Sequence, residues 1–444
     1  MELLKEIESI PVVDCHEHQA PSSVSPDPRY PGINYGFPEE PISFLLRGYF
    51  PDDLVSAGAS DDEISFLKDI SISTREKWPV FSKLWRKTRF TAYALEITRG
   101  VSRTTGSNEV TLEALESMRG KISKVDDIDN FFASLNIKAV LVDPWWWDVP
   151  DVKQFIDGKM KLPECYRMII PLPFFHMHPG EPTNLRLRNR LRFQQLGDLV
   201  NSSVTSLDDY LSVVFKIMER MKRSGAVGIK DQSAYVRSLR YDLVVKSDAE
   251  RLFNVILDDP TYNLGWPEAK PLDDFLFHEY MRFAGKLSLP VQVHTGYLAG
   301  KGNRVERANA SNLANVVELH SNVAFDLFHG NWPYMGDLLF LAKNYKNVNM
   351  NLAWLHGADP YYTVEMLIRA IYMVPHAKIL GFGGDYHYPE HVETHLSLAR
   401  QNISEALSKL MARGWISNSD AVEIAQGWLY DTPNELFKLG LPKI

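Results

Sequence analysis

The chain has 444 residues, of which 45% are hydrophobic and 26 are proline, and a formal net charge of −8, which suits a large buried core. The acidic balance argues against nucleic acid as a general partner, and no run of 18 apolar residues is available to cross a bilayer. Two cysteines, Cys15 and Cys165, speak against a disulfide framework and for a reducing compartment; site-type residues already at position 16 leave no room for an export signal, so a cytoplasmic location is expected.

In chain order, the first element is an apolar run, 10–15, that closes on His16-Glu17-His18. Alternate side chains of a strand share a face, so histidines spaced i, i+2 at a strand end can grip one metal ion. Such a pair is also common by chance, with solvated histidines as the plain alternative. Next comes a long stretch, 19–136, with helical patterns at 39–50, 61–70, 75–98, 112–118 and 127–135. A structureless loop of that size is improbable inside a compact domain, so a helical insertion or cap subdomain is expected there. A connection after the first strand of a barrel leaves from the catalytic face, which would put the cap beside the site. Its Arg47, Arg86, Arg89 and Trp85 are candidates for substrate contact, although surface charge or a subunit interface is the more ordinary use.

Seven further strand-like runs follow, at 137–143, 168–174, 226–230, 289–293, 322–328, 348–354 and 379–384. Helical patterns at 207–224, 272–286, 308–320, 334–343, 363–374 and 392–413 separate the later ones. This alternation predicts a parallel sheet. Three of the runs end in metal-capable side chains: His294, His329 and Asp385. Ligands from the first, fifth, sixth and eighth strands converge only if the sheet closes, so the predicted fold is a (β/α)8 TIM barrel. The barrel would comprise 1–18 and 137–444, with 19–136 as the insertion between strands 1 and 2.

On these residues the chain resembles the amidohydrolase superfamily, in its amidohydrolase-related (amidohydrolase 2) branch of metal-dependent hydrolases. The similarity runs from about 11 to 437, and 428–437, WLYDTPNELF, resembles the closing helix of that family. The resemblance implies a divalent metal, Zn²⁺ first among them, as one or two ions held by His16, His18, His294 and Asp385, with Lys230 and His329 as further candidates. It also implies catalytic roles for Asp385, as the base toward a metal-activated water, and for His329, which would polarise or position the substrate. Lys230, at the end of the fourth strand, has three readings: a carboxylated bridge between two metals, as in binuclear relatives; an ammonium that binds a substrate carboxylate; or an ion pair with Asp231.

The expected activity is metal-dependent hydrolysis of a small amide, ester or lactone, with a carboxylate on the substrate as one option. Decarboxylation or uronate-type isomerisation on the same barrel is the alternative, and an inactive barrel used for binding is a further one. Arg237, Tyr297, Trp332 and His176 are the candidate substrate contacts, and a homo-oligomer is expected. Trp145-Trp146-Trp147 reads as a pocket wall or as core. The second HxH, His176-Met177-His178, carries no metal role in the family, and Arg186, Arg188, Arg190 and Arg192 read as solvated surface.

Overall fold

The computed structural model describes residues 2–19, 39–122, 125–175, 191–259 and 264–444. Eight strands, β1 (Val12–Glu17), β2 (Ile137–Val142), β3 (Tyr166–Pro171), β4 (Gly228–Asp231), β5 (Val291–Val293), β6 (Phe325–Leu327), β7 (Val348–Asn351) and β8 (Ile379–Leu380), lie side by side in sequence order. Every neighbouring pair is parallel. The last gap is bridged by backbone after β8: Cys15 N donates to Phe382 O (3.1 Å), Asp385 N to His16 O (2.8 Å) and His18 N to Tyr386 O (2.9 Å). The chain is therefore a (β/α)8 barrel, and its C-terminal rim carries the site.

The strands are short, and helices cover the barrel's outer face, so they read as apolar runs with no alternation. Several end earlier than their apolar patterns. The third stops at Pro171 and continues as a 3-10 turn, Leu172–Phe175. The seventh stops at Asn351, and Trp354 takes a left-handed backbone, φ 65°. The eighth keeps only two ladder residues, because Gly381, Gly383 and Gly384 bring the chain too close to its neighbours for a regular pleat. An apolar pattern reports burial, and burial continues past the ladder into the rim.

Between β1 and β2 the described residues are helical. The pattern at 39–50 is split into Pro41–Leu45 and Phe50–Ser56, and that at 75–98 into Thr74–Thr88 and Ala92–Thr105. The second break has a local cause: Thr91 accepts a hydrogen bond from Ala94 N (3.2 Å) and starts a new helix. Ser60 and Ser73 open their helices with reciprocal capping boxes to Glu63 and Glu76. These helices share an apolar cluster, including Ile42, Phe50, Phe81, Trp85, Ile97 and Leu115, that reaches the barrel through Trp354. Inside it Lys77, with no exposed surface, donates to Glu40 (2.5 Å) and Ser43 (2.6 Å). The helix Ile128–Ser134 instead sends Phe132 into the main barrel core. Among the described residues no helix is long and apolar enough to cross a membrane.

Candidate metal centre

The strand ends bring His16, His18, His294, His329 and Asp385 into one buried cluster. Asp385 Oδ1 lies 3.1 Å from His18 Nε2 and 3.5 Å from His16 Nε2, and its Oδ2 lies 3.7 Å from His329 Nε2. His329 Nε2 is 3.3 Å from His294 Nδ1. Lys230 Nζ, from the end of β4, is 3.2 Å from His16 Nε2 and sits over the Phe328 ring at 4.4 Å.

The opposite ring nitrogens are fixed by backbone. His18 Nδ1 meets Asp143 O (3.1 Å), His294 Nε2 meets Tyr297 O (2.7 Å) and His329 Nδ1 meets Ala353 O (2.7 Å). A carbonyl only accepts, so each of those nitrogens carries the proton, and the inward nitrogens carry lone pairs. Burial, then the neighbouring His329, pushes His294 well below the usual histidine range; burial brings His329 down to about 4. Both are neutral near pH 7, yet their lone pairs face each other across 3.3 Å. Burial opposes the charge on Asp385, and positive charge placed at His16, His18 and His329 outweighs it and holds the carboxyl well below its usual value; with these rings neutral, that charge has to come from a cation. Convergent lone pairs around an ionised carboxylate repel one another unless a cation lies among them. The donor set therefore fits a divalent metal, and its nitrogen and oxygen ligands are of the type that holds Zn²⁺.

The backbone supports this aim. His329 (φ 56°), Asn331 (φ 52°), Trp354 (φ 65°) and Asp385 (φ 63°) all take left-handed conformations, which non-glycine residues adopt only when the surroundings hold them there. Aromatic rings wall the neighbourhood: Trp354 stands edge-on to His329 (5.3 Å), and Tyr297 contacts both Trp354 (4.7 Å) and Trp332 (5.2 Å). Tyr49, from the insertion, packs on Trp354 (4.3 Å) and donates its hydroxyl to Asp385 O.

Arg237 is placed differently from its expected substrate contact. Its side chain is fully buried, and its guanidinium donates to Asp273, Asp274 (2.6 Å), Ser238 O (2.9 Å) and Arg240 O (2.9 Å). Those partners take four of its five N–H groups, and the side chain has no exposed surface, so Arg237 ties the segment after β4 to the helix Lys270–Leu287. His176 and His178, and the side chains of Arg186, Arg188, Arg190 and Arg192, lie outside the described residues.

Asp143 is a further candidate that no motif marks. It follows the second strand as His18, His294 and His329 follow theirs, so the same strand-end rule points to it. His16, His18 and Asp143 present ligand-type atoms within 4.8 Å of one another. Asp143 is fully buried, its Oδ2 accepts from Gln232 and lies 3.8 Å from His18 Nδ1, and its Oδ1 has no hydrogen-bond partner in the described structure. It thus has capacity either to orient His18 or to take up a cation itself. His387, which follows the eighth strand, stacks on His18 at 5.2 Å.

Known proteins are similar to part or all of the chain. The protein fluG of Emericella nidulans is 26% identical over 227 residues, 48% of this chain, and the chain spans only about a quarter (26%) of that relative's length. Among solved structures, glucuronate isomerase from Caulobacter crescentus is similar with a TM-score of 0.72 at 16% identity, covering 100% of this chain and 94% of that one. Uronate isomerase from Thermotoga maritima gives 0.71 at 15% identity, covering 98% and 96%. At these identities the likeness is one of fold. The family model for Amidohydro_2, amidohydrolase, matches residues 209–439, more than half of the chain and the part that holds His294, His329 and Asp385. The chain belongs to the Amidohydro_2 family of the amidohydrolase superfamily.

Proposed function

We propose that this protein is a divalent-metal-dependent hydrolase of small amides, esters or lactones, reacting at the cluster around Asp385. The observation that carries the reading is the set of three imidazoles whose N–H groups are spent on backbone carbonyls, so that their lone pairs converge beside an ionised aspartate. His16, His18, His294 and Asp385 would hold the metal, with His329 beside them and Asp143 orienting His18. A bound divalent cation would acidify water and polarise a substrate carbonyl.

The chain's own groups do the rest. Asp385, kept ionised, accepts a proton from the attacking water at a carboxylate oxygen and passes it to the leaving group. His329, held by Ala353 O at 2.7 Å, presents a neutral ring edge to the substrate side. Tyr297, Trp332 and Trp354 form an aromatic wall that favours a substrate with an apolar face. Lys230 lies against His16 as a buried cation; burial, then the surrounding aspartates in opposition, leaves its pKa below the usual lysine value.

The test has two parts. Purified protein should carry close to stoichiometric zinc or manganese by elemental analysis, and Asp385→Asn should weaken that binding. A panel of amides, esters and lactones turned over in ¹⁸O-water should then place the label in the acyl product. Products of unchanged mass would identify an isomerase, and CO2 release a decarboxylase; either would replace hydrolysis. A metal-free protein that stays active in strong chelator would remove the metal as well.

A further inference from the structure

Two carboxyl groups of β1, Asp14 and Glu17, have no part in the reaction outlined above, yet both are fully buried directly behind it. Burying carboxyl groups costs free energy unless they are hydrogen-bonded, so their partners are informative. Asp14 Oδ1 accepts from Gly384 N (3.1 Å) and from His16 N (3.3 Å). Glu17 Oε2 accepts from Tyr386 N (2.9 Å) and from Gln19 Nε2 (3.1 Å). The second oxygens, Asp14 Oδ2 and Glu17 Oε1, have no hydrogen-bond partner in the described structure. The two carboxyls therefore grip the peptide N–H groups on either side of Asp385, while Asp385's own N–H is held by His16 O (2.8 Å) and its carbonyl by Tyr49.

This grip coincides with backbone that does not stay in place by itself. Asp385 sits at φ 63°, in the left-handed region, where few side-chain-bearing residues are found without support. Gly384 leaves room for the Glu17 carboxyl: an added Cβ would run into Glu17 Oε1 and displace it. The Glu17 carboxyl thus fills the space that glycine leaves open, and the middle residue of His16-Glu17-His18 points to the opposite side of the strand from the two histidines.

We propose that Asp14 and Glu17 are positioning residues, a carboxyl clamp that fixes the 384–386 backbone so that the Asp385 carboxylate meets His16 and His18. This deepens the reading of Asp385 as a metal ligand and proton carrier, and rests on it. The clamp joins the first and last strands where the barrel closes, so one set of hydrogen bonds both seals the barrel and aims its carboxylate.

The experiment measures zinc affinity by competition with a chromophoric chelator, together with the visible spectrum of the Co²⁺-loaded protein. Glu17→Leu should weaken zinc roughly 10–100-fold, the usual effect of removing a group that orients a metal ligand, and should shift the cobalt bands. Glu17→Gln should restore affinity to within about threefold, because its amide oxygen can accept from Tyr386 N and Gln19 Nε2 as the carboxyl does. If Glu17→Leu does not fold, Glu17→Asp serves instead: it keeps the carboxyl group but withdraws the oxygen by one methylene, and should lose roughly tenfold. Arg237→Leu is the control for plain loss of stability, with a lower melting temperature and unchanged zinc affinity. Zinc binding in Glu17→Leu or Glu17→Asp equal to the wild type, while Asp385→Asn is impaired, would overturn the clamp alone. Unchanged binding in Asp385→Asn would overturn the underlying reading of the site.

Discussion

Arg237 offers the sharpest quantitative test, because it was expected at the substrate and lies instead inside the protein. Replacing it with leucine removes a fully buried guanidinium and leaves Asp273 and Asp274, 5% and 1% exposed, without their shared cation. Breaking a buried pair by deleting one partner costs about 3–5 kcal/mol. Unfolding entropy near 60 °C is about 2.1 cal/mol/K per residue, so for a chain of this length about 1 kcal/mol shifts the melting temperature by about 1 °C. Arg237→Leu should therefore melt roughly 3–5 °C below the wild type. Adding Asp273→Asn and Asp274→Asn should recover part of that loss, since neutral amides no longer demand a cation. The assay is calorimetry at one fixed scan rate, because a protein of this size can unfold irreversibly. A melting temperature within 1 °C of the wild type, with weaker binding of an acidic substrate instead, would refute the structural role and return Arg237 to the pocket.

Lys77→Met should destabilise the insertion by about 3 kcal/mol, since it strands the buried Glu40 carboxylate, and should open residues 39–122 to limited proteolysis before the barrel. Gly296, at φ 71°, has no room for a side chain, because a Cβ would enter the Asn331–Trp332 peptide; Gly296→Ala should lower both melting temperature and zinc content, as it displaces the loop that follows His294. The buried pair His278 and His320, 2.9 Å apart, gives a pH dependence. Burial lowers His278, and burial followed by His278 itself lowers His320 to about 4. The unfolded chain takes up these protons near pH 6.5 and the folded chain does not, so stability should fall as pH drops below about 6.5 and level off below about 4. Urea midpoints between pH 7.5 and 5 check this, and His320→Asn should flatten the slope; an equal slope in that variant would exclude the pair as its source.

The sequence determined the barrel and pointed to candidate site positions for a physical reason: buried parallel strands are short apolar runs, and a polar residue that ends one stands on the rim. His16, His18, His294 and Asp385 could be read that way, and His329 follows the same rule. The rule applies equally to Asp143, although no motif marks it. The structure places Arg237 inside the protein, which a one-dimensional pattern cannot show, because it does not tell a rim cation from a buried one; its partners Asp273 and Asp274 lie more than thirty residues on. The role of Asp14 and Glu17 was equally out of reach, since their hydrogen bonds run some 370 residues along the chain to the backbone around Asp385. Sequence spacing sets which side chains share a face, whereas barrel closure decides which faces meet, and only after β1 and the chain beyond β8 are joined do two buried carboxyls and a left-handed aspartate become one device.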